Sequence, residues 1–352
     1  AIAERLDWKR DLYARIGPIV PPHAIVASNT SGLSIAALDE ALPAALRPRF
    51  CGIHFFNPPR YMHLVEMIAA PATDPALLDA LETFLTTALG KGVIRARDTP
   101  NFIANRIGVF SILATMIHTE RLGLGADVVD ALTGPAIGRP KSASYRTVDV
   151  VGLDITAHVI ATMRDSLGDD PWHPHFGEPP VMAALIAKGA LGQKTGAGFY
   201  RKVGRDILVL DPAKGDYRAS APQADPDVMA MLAQKDPGAM LEARRGSAHP
   251  QAQLLWAVFR DVFHYAAYHL ADISDNARDV DLAIRWGFGW TMGPFETWQA
   301  AGFARVAHWI RDDIAAGKTL AGVPLPAWVD DPQVAAARGV HAPQGSWSPG
   351  RA

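Results

Sequence analysis

The hydrophobic pattern changes its period at Pro100, and that change limits the folds open to the chain. Before it, short β-rich runs alternate with helical stretches. Ala24-Ile-Val-Ala27 is an apolar run ending in Ser28-Asn-Thr-Ser-Gly, a strand followed by a turn, and Ser34 is placed to cap a helix from Ile35 to Leu42. Phe50-Cys-Gly-Ile-His-Phe-Phe56 and His63-Leu-Val-Glu-Met-Ile68 are β-rich. The Asn57-Pro-Pro-Arg between them must be a loop, because proline cannot join a ladder. Asp74 caps a helix to Leu89, and Gly90-Lys-Gly leads into a strand from Val93 to Ala96. Residues 1–97 therefore read as the later part of an α/β domain.

After Pro100 the pattern is helical. Phe102, Ile103, Ile107, Phe110, Met116 and Ile117 fall at helical spacing, and helices continue to about Ala187. Gly192-Gln-Lys-Thr-Gly-Ala-Gly-Phe-Tyr200 closes this first helical domain, 98–202. Residues 203–248, with several Pro, Gly and charged residues, read as a linker. Leu255, Phe259, Val262, Phe263, Ala266 and Leu270 then share a helix face and open a second helical domain, 249–312. Asp127-Val-Val-Asp-Ala-Leu, Gly138 and Val151-Gly-Leu-Asp are echoed by Asp279-Val-Asp-Leu-Ala-Ile, Gly289 and Ala301-Gly-Phe, which reads as two diverged copies of one module. Residues 313–352 are turn-rich and read as an extended tail. The first residues carry neither Met nor a signal peptide, and both ends read as cut from something longer.

Composition excludes several classes. At 49% hydrophobic and 20% charged, the chain can bury sizeable cores and is not disordered. A net charge of −2 gives no basic field for nucleic acid or an anionic membrane. A single cysteine, Cys51, excludes a disulfide framework, and no apolar run approaches a spanning helix. A cytoplasmic protein is expected.

His54 and Glu66 are the informative pair. Each lies in an apolar run, and burying a carboxylate among Leu, Val, Met and Ile costs several kcal/mol unless it is paired. An imidazole on the adjacent strand is a natural partner and, once oriented, a general base; the other reading is a structural core hydrogen bond, which spacing alone favours. Ser28-Asn-Thr-Ser31 offers hydroxyls and an amide where α/β folds bind ligands, or is simply a cap and turn. Asn105 opens the long helix and either binds a ligand or steadies the first turn. No Gly-x-Gly-x-x-Gly occurs; Gly287-Phe-Gly-Trp-Thr-Met-Gly293 has the wrong spacing, follows a helix and reads as a structural glycine cluster. His173-Pro-His175 and the pair His264 and His269 lack the Cys, Asp or Glu partners of a metal site, so no metal is expected.

Taken in order, Ala27-Ser-Asn-Thr-Ser-Gly-Leu-Ser-Ile35, Gly52-Ile-His-Phe-Phe-Asn-Pro58, Leu64-Val-Glu-Met-Ile68, Asp98-Thr-Pro-Asn-Phe-Ile-Ala-Asn-Arg106 and Gly192 to Tyr200 closely resemble the L-3-hydroxyacyl-CoA dehydrogenases of fatty acid β-oxidation. The second copy, with Met292-Gly-Pro-Phe-Glu296, is similar to the duplicated C-terminal domain of large multifunctional oxidation proteins. Ile137 to Arg146 looks like a bacterial branch in which a hydratase domain follows the dehydrogenase. The resemblance implies α/β followed by all-α: an incomplete Rossmann-type domain and two dehydrogenase C-terminal-like helical domains. It also implies NAD-dependent oxidation of a 3-hydroxyacyl-CoA to the 3-keto product.

In that resemblance His54 matches the general base and Glu66 the carboxylate that orients it. Ser31 and Asn105 match residues that hold the substrate oxygen or the base, and Glu4, Lys9, Ser31, Asn57 and Lys194 match positions that contact NAD. Implied partners are an acyl-CoA thioester, a hydratase domain on the same polypeptide, a thiolase and a second subunit whose place the fused copy takes. The family's fingerprint loop and ribose-binding acidic residue are missing here, so this chain alone is expected to bind NAD weakly or not at all. In the first copy Lys141-Ser-Ala-Ser replaces the Gly-Pro-Phe-Glu of the second. Two other readings stand beside this one: a β-hydroxyacid dehydrogenase with a non-CoA substrate, and a non-catalytic module of a β-oxidation complex.

Overall fold

In the computed structural model, which describes residue 2 and residues 4–351, the alternating first part becomes one sheet with helices against it. The order is α1 (Leu6–Ile16), β1 (Val26–Ser28), α2 (Ile35–Asp39), β2 (Phe50–Phe55), β3 (Leu64–Ala69), α3 (Pro75–Thr87) and β4 (Gly92–Ala96). Strands lie in sequence order; β1 and β2 are parallel, β2 and β3 antiparallel, β3 and β4 parallel. The Ser34 hydroxyl caps α2 by accepting from Ala37 N at 3.1 Å, and the Asp98 carboxylate takes the Ile35 and Ala36 N–H groups, each at 2.8 Å. That helix ends at Asp39, short of Leu42: Pro43 has no N–H to bond Asp39 O, which accepts from Leu42 N instead, and it disfavours helical backbone at Leu42.

The helical part runs α4 (Ala104–Arg121), α5 (Ala126–Leu132), α6 (Tyr145–Val151), α7 (Leu153–Ser166) and α8 (Pro180–Ala187). Residues 203–248 are not a linker. With Tyr200 they form a three-stranded antiparallel sheet, β5 (Tyr200–Val203), β6 (Asp206–Asp211) and β7 (Asp216–Ala219), then α9 (Pro226–Leu232) and α10 (Pro237–Gly246). The polar residues taken for linker are turn and cap residues. Gly204 and Gly215 turn the hairpins at φ 61° and 65°, and Asp225 and Asp236 cap helices whose first residue is proline.

The second helical set is α11 (Pro250–Ile273), α12 (Ala277–Phe288), α13 (Pro294–Ala300) and α14 (Phe303–Ala315). Residues 313–352 are not an extended tail either. They carry α15 (Pro332–Ala337) and a small hairpin, β8 (His341–Ala342) and β9 (Gly345–Ser346), with Val329, Val334 and Val340 buried. Stacking of Trp328 on Trp347 at 4.6 Å and a bond from His341 Nε2 to Asp281 at 2.6 Å fasten the segment down.

The sets α4–α7 and α11–α14 repeat one plan. Asp130 on α5 accepts from Ser144, Tyr145 and Arg146 N, and Asp281 on α12 accepts from Phe295 and Glu296 N. Each carboxylate thus holds the start of the next helix. Burial pushes both carboxyls up to about 6 against those bonds. Gly138 and Gly289 are both left-handed, at φ 74° and 69°. The two loops meet reciprocally: Thr291 N donates to Gly138 O at 2.8 Å, and Pro140 closes on Gly289. That reciprocity is the mark of an approximate twofold contact. Along the seam α4 packs on α11, where Arg106 donates to Tyr265 Oη at 2.5 Å and Asp170 at 2.9 Å, and His118 Nε2 to Asp261 at 2.6 Å. No helix among the described residues is long and apolar enough to cross a membrane.

Candidate active site

The antiparallel register of β2 and β3 sets His54 directly opposite Glu66. Opposed residues point to the same face with their β-carbons about 5 Å apart, close enough for an imidazole and a carboxylate to meet. His54 Nδ1 lies 2.8 Å from Glu66 Oε2, with the imidazole 4% exposed and the carboxylate wholly buried. The rings of Phe56 and Phe102, centred 4.6 and 5.6 Å away, wall the imidazole.

The other carboxylate oxygen faces a helix start. Glu66 Oε1 accepts from Ile103 N at 3.0 Å and Ala104 N at 2.8 Å, the first N–H groups of α4. Asn101 and Phe102 adopt left-handed φ of 63° and 51°, turning the chain so that these N–H groups point back at the strand. Such backbone costs a bulky residue of order 1–3 kcal/mol. With two backbone N–H groups on Oε1, Glu66 is held as an acceptor, and its other oxygen faces His54 Nδ1. His54 must carry its proton on Nδ1, leaving Nε2 with a free lone pair. A buried imidazole oriented in this way can take a proton from a hydroxyl, and the carboxylate behind it stabilises the cation that forms.

A second cluster gathers beside this pair. Ser28 pairs with Gly52 across β1 and β2, and Asn29 Oδ1 accepts from Phe55 N at 2.9 Å, so the loop leaving β1 runs alongside the strand of His54. Glu4 reaches that loop: the Thr30 hydroxyl and Ser31 N, the latter at 2.8 Å, donate to Oε1, and Lys9 Nζ stands 3.1 Å from Oε2. Lys9 is 7% exposed and also reaches Ser28 Oγ at 3.5 Å. Burial would raise the Glu4 carboxyl, but the Thr30 hydroxyl, the Lys9 ammonium and the Ser31 N–H outweigh it and hold the group below the usual carboxylate range.

The fold thus pairs His54 with Glu66 and gathers Glu4, Lys9 and Ser31 around the loop that leaves the neighbouring strand β1. Asn105 follows Ala104, half-buried in the first turn of α4. Asn57 is exposed in the loop after β2, at a cis bond to Pro58. Lys194 is not drawn to Glu4 or Lys9. It sits in the turn Gln193–Thr195, bracketed by left-handed Gly192 and Gly196, and pairs with Asp154 at 2.5 Å. The sequence did not disclose the cap on α4, because a strand carboxylate holding a helix start 37 residues later leaves no local signal.

Three of the four histidines weighed as metal ligands bond protein groups instead. His173 Nε2 donates to Arg164 O at 3.0 Å and His175 Nε2 to Leu320 O at 2.7 Å. His269 stands 3.1 Å from Asp170, and His264 is buried with neither ring nitrogen bonded. Burial pushes His264 down to about 4. Among the described residues no cluster of three or more His, Cys, Asp or Glu could hold a metal ion.

Residues 1–99 match the family model described as the NAD binding domain of 3-hydroxyacyl-CoA dehydrogenase, and residues 102–202 the model for its C-terminal domain. A Bacillus subtilis protein named "Probable 3-hydroxyacyl-CoA dehydrogenase" is 38% identical over 330 residues, covering 94% of this chain and 41% of that protein. A Rickettsia felis protein named as a fatty acid oxidation complex trifunctional enzyme is 30% identical over 301 residues, 84% of this chain and 40% of its own length. This chain thus spans about two fifths of either relative. Among solved structures, a 3-hydroxybutyryl-CoA dehydrogenase of Escherichia coli K12 shares the fold at a TM-score of 0.69, with 22% identity, over 93% of this chain and 79% of that one. Motifs, domain order and these matches agree: the chain belongs to the 3-hydroxyacyl-CoA dehydrogenase family.

Proposed function

We propose that this chain carries the proton-abstracting machinery of an NAD-dependent dehydrogenase that oxidises L-3-hydroxyacyl-CoA to 3-ketoacyl-CoA in fatty acid β-oxidation. The observation that carries the reading is the His54–Glu66 pair, locked at 2.8 Å and closed from behind by the start of α4. His54 Nε2 takes the proton of the substrate's 3-hydroxyl as the C–O bond becomes a carbonyl and C3 gives up its hydrogen with the bonding electrons. NAD, when bound, supplies the acceptor for that hydride. Glu66 holds the imidazole in its productive tautomer and stabilises the imidazolium. Ser31, in the loop after β1, and Asn105, in the first turn of α4, are assigned to the substrate oxygen through the family resemblance.

Glu4, Lys9 and Ser31 suit the nicotinamide side of a dinucleotide. A buried ammonium and a carboxylate meet under the carboxyl end of β1, where open α/β sheets take their ligands. The described residues include no glycine-rich strand-to-helix turn for a pyrophosphate. Asn57 and Lys194 are assigned to NAD through the family resemblance, and neither reaches the Glu4 cluster. The second helical set holds the place a second subunit would take in a twofold dimer, and the trifunctional name of the Rickettsia relative supports a multifunctional setting.

The experiment is turnover of the intact protein with NAD and 3-hydroxybutyryl-CoA or free 3-hydroxybutyrate. Oxidation of the thioester alone, lowered at least about 10²-fold in His54→Gln, is expected for a general base. Turnover in His54→Gln within about threefold of the parent would remove the assignment, since base loss costs far more. Preference for the free acid would move the substrate out of the CoA class.

A further inference from the structure

The second helical set packs against β3, β4, α4 and Phe56 through three consecutive residues at the end of α12. Trp286 meets the His63 ring edge-on, centroids 4.9 Å apart, and lies so close to Gly92 that a β-carbon there would fall 2.5 Å from the indole. Gly287 presses on β3 and α4: a β-carbon on it would sit 2.8 Å from Leu64 Cδ2 and 3.3 Å from both Ala104 Cβ and the Phe56 ring. Phe288 covers Gly108 of α4, where a β-carbon would fall 2.1 Å from its Cζ, and meets Phe56 edge-on at 6.5 Å. Phe56 in turn stands 4.6 Å from the imidazole of His54.

These contacts reach the strand that carries Glu66, the residue walling His54 and the helix whose first N–H groups hold the carboxylate. All are apolar, so they move no proton. What they fix is position. Approach this close needs glycine at 92, 108 and 287, because any side chain would drive the elements apart.

We propose that Trp286, Gly287 and Phe288 are positioning residues for the His54 base, so that the second helical set is part of the dehydrogenase active site and does not serve only as a built-in second subunit. The proposal rests on the dehydrogenase reading above. The matched family domains end at residue 202, so this support lies outside them. Close-packed interiors transmit displacement rather than absorb it. Removing the Phe288 ring lets α4 and Phe56 relax toward the gap, and the His54–Glu66 pair moves with them. A displacement of about 1 Å at a catalytic group costs up to about 10²-fold in rate.

The test compares the intact parent protein with Phe288→Ala, Phe288→Leu, Gly108→Ala and His54→Gln. Phe288→Ala and Gly108→Ala are expected to lower kcat about tenfold or more with little change in KM for 3-hydroxybutyryl-CoA, and Phe288→Leu to recover most of the loss. Independently of turnover, the proton on His54 Nδ1, observed by NMR in the 352-residue chain, should exchange with solvent about tenfold faster in Phe288→Ala. A variant that melts earlier but keeps the parent's kcat and pH profile while folded overturns the proposal. An unchanged lifetime of that proton overturns it too, whether or not the protein turns over. Parent turnover that His54→Gln leaves intact would instead remove the dehydrogenase reading.

Discussion

Glu66→Gln changes one oxygen for one NH2 at nearly constant volume, and that donor finds an acceptor only if the His54 ring changes tautomer. Glu66 meets donors at both ends, the imidazole at 2.8 Å and two backbone N–H groups at 2.8 and 3.0 Å. A glutamine offers one acceptor and one donor. Its oxygen will stay with the two N–H groups, because turning it round would orphan both against an NH2. The amide then donates to His54 Nδ1, and the ring proton moves to Nε2, the atom that must be bare to accept a proton. A base held in the wrong tautomer loses about 10³- to 10⁴-fold in kcat, or roughly 4–5.5 kcal/mol of barrier. Fold stability should suffer less. Three charge-assisted bonds become neutral ones, partly offset because no buried carboxylate has to be desolvated, for a net cost of about 1–3 kcal/mol. The assay is kcat with 3-hydroxybutyryl-CoA and NAD on the intact protein, beside urea unfolding of the same variant. Loss of kcat below about tenfold with stability retained would refute the tautomer argument, because a misprotonated base cannot work at near-normal rate.

His264→Phe tests the buried, unbonded imidazole. Its folded pKa is about 4, below the unfolded value near 6.5, so between those pH values the unfolded chain binds the extra proton and wild-type stability is lost as pH falls. The variant should therefore gain about 2 kcal/mol more at pH 5 than at pH 7 in urea unfolding, and an equal effect at both would contradict this. Asp130, Asp149 and Asp281 act with the opposite sign. Each has a folded pKa of about 6, raised mainly by burial, so their contribution is full below about 4 and lost as pH rises through 6. With His264 replaced, stability between pH 4 and 6 should fall as pH rises. Arg106→Leu removes the guanidinium that Tyr265 and Asp170 share across the seam of the two helical sets. A loss of about 3–5 kcal/mol is expected, as for one partner of a buried pair, and a loss under about 1 would mean that His269 alone suffices for Asp170.

Much of the candidate site was legible in the sequence because it depends on strand register. His54 and Glu66 each interrupt an apolar run, and only pairing makes two such interruptions tolerable; the antiparallel ladder sets them opposite one another. The segment 203–248 was misread for a physical reason. Its strands bury little, Val209 and Leu210 in β6 foremost, so the hydrophobic alternation is weak. The Asp225-Pro226 and Asp236-Pro237 pairs are helix starts that resemble loop composition when taken singly. Residues 313–352 hide their order similarly, since Val329, Val334 and Val340 are spaced too irregularly to show a period.

The parts that could not be read locally are those joining distant segments. The bonds from Ile103 and Ala104 to Glu66 and the packing of Phe288 on Gly108 exist only once β3, α4 and α12 have met. Lys194 shows the same limit. The family resemblance implies a nucleotide contact for it, and its ion pair with Asp154, 40 residues away in sequence, leaves no local signal.

Nitrogen-15 NMR of the His54 ring, near neutral pH and without substrate, reaches the account at its narrowest point. Signals assigned to a protonated Nδ1 and a bare Nε2, reversing in Glu66→Gln, are the predicted result. A ring protonated at Nε2 would leave this imidazole unable to act as the base, and one exchanging freely between tautomers would contradict its locking by Glu66.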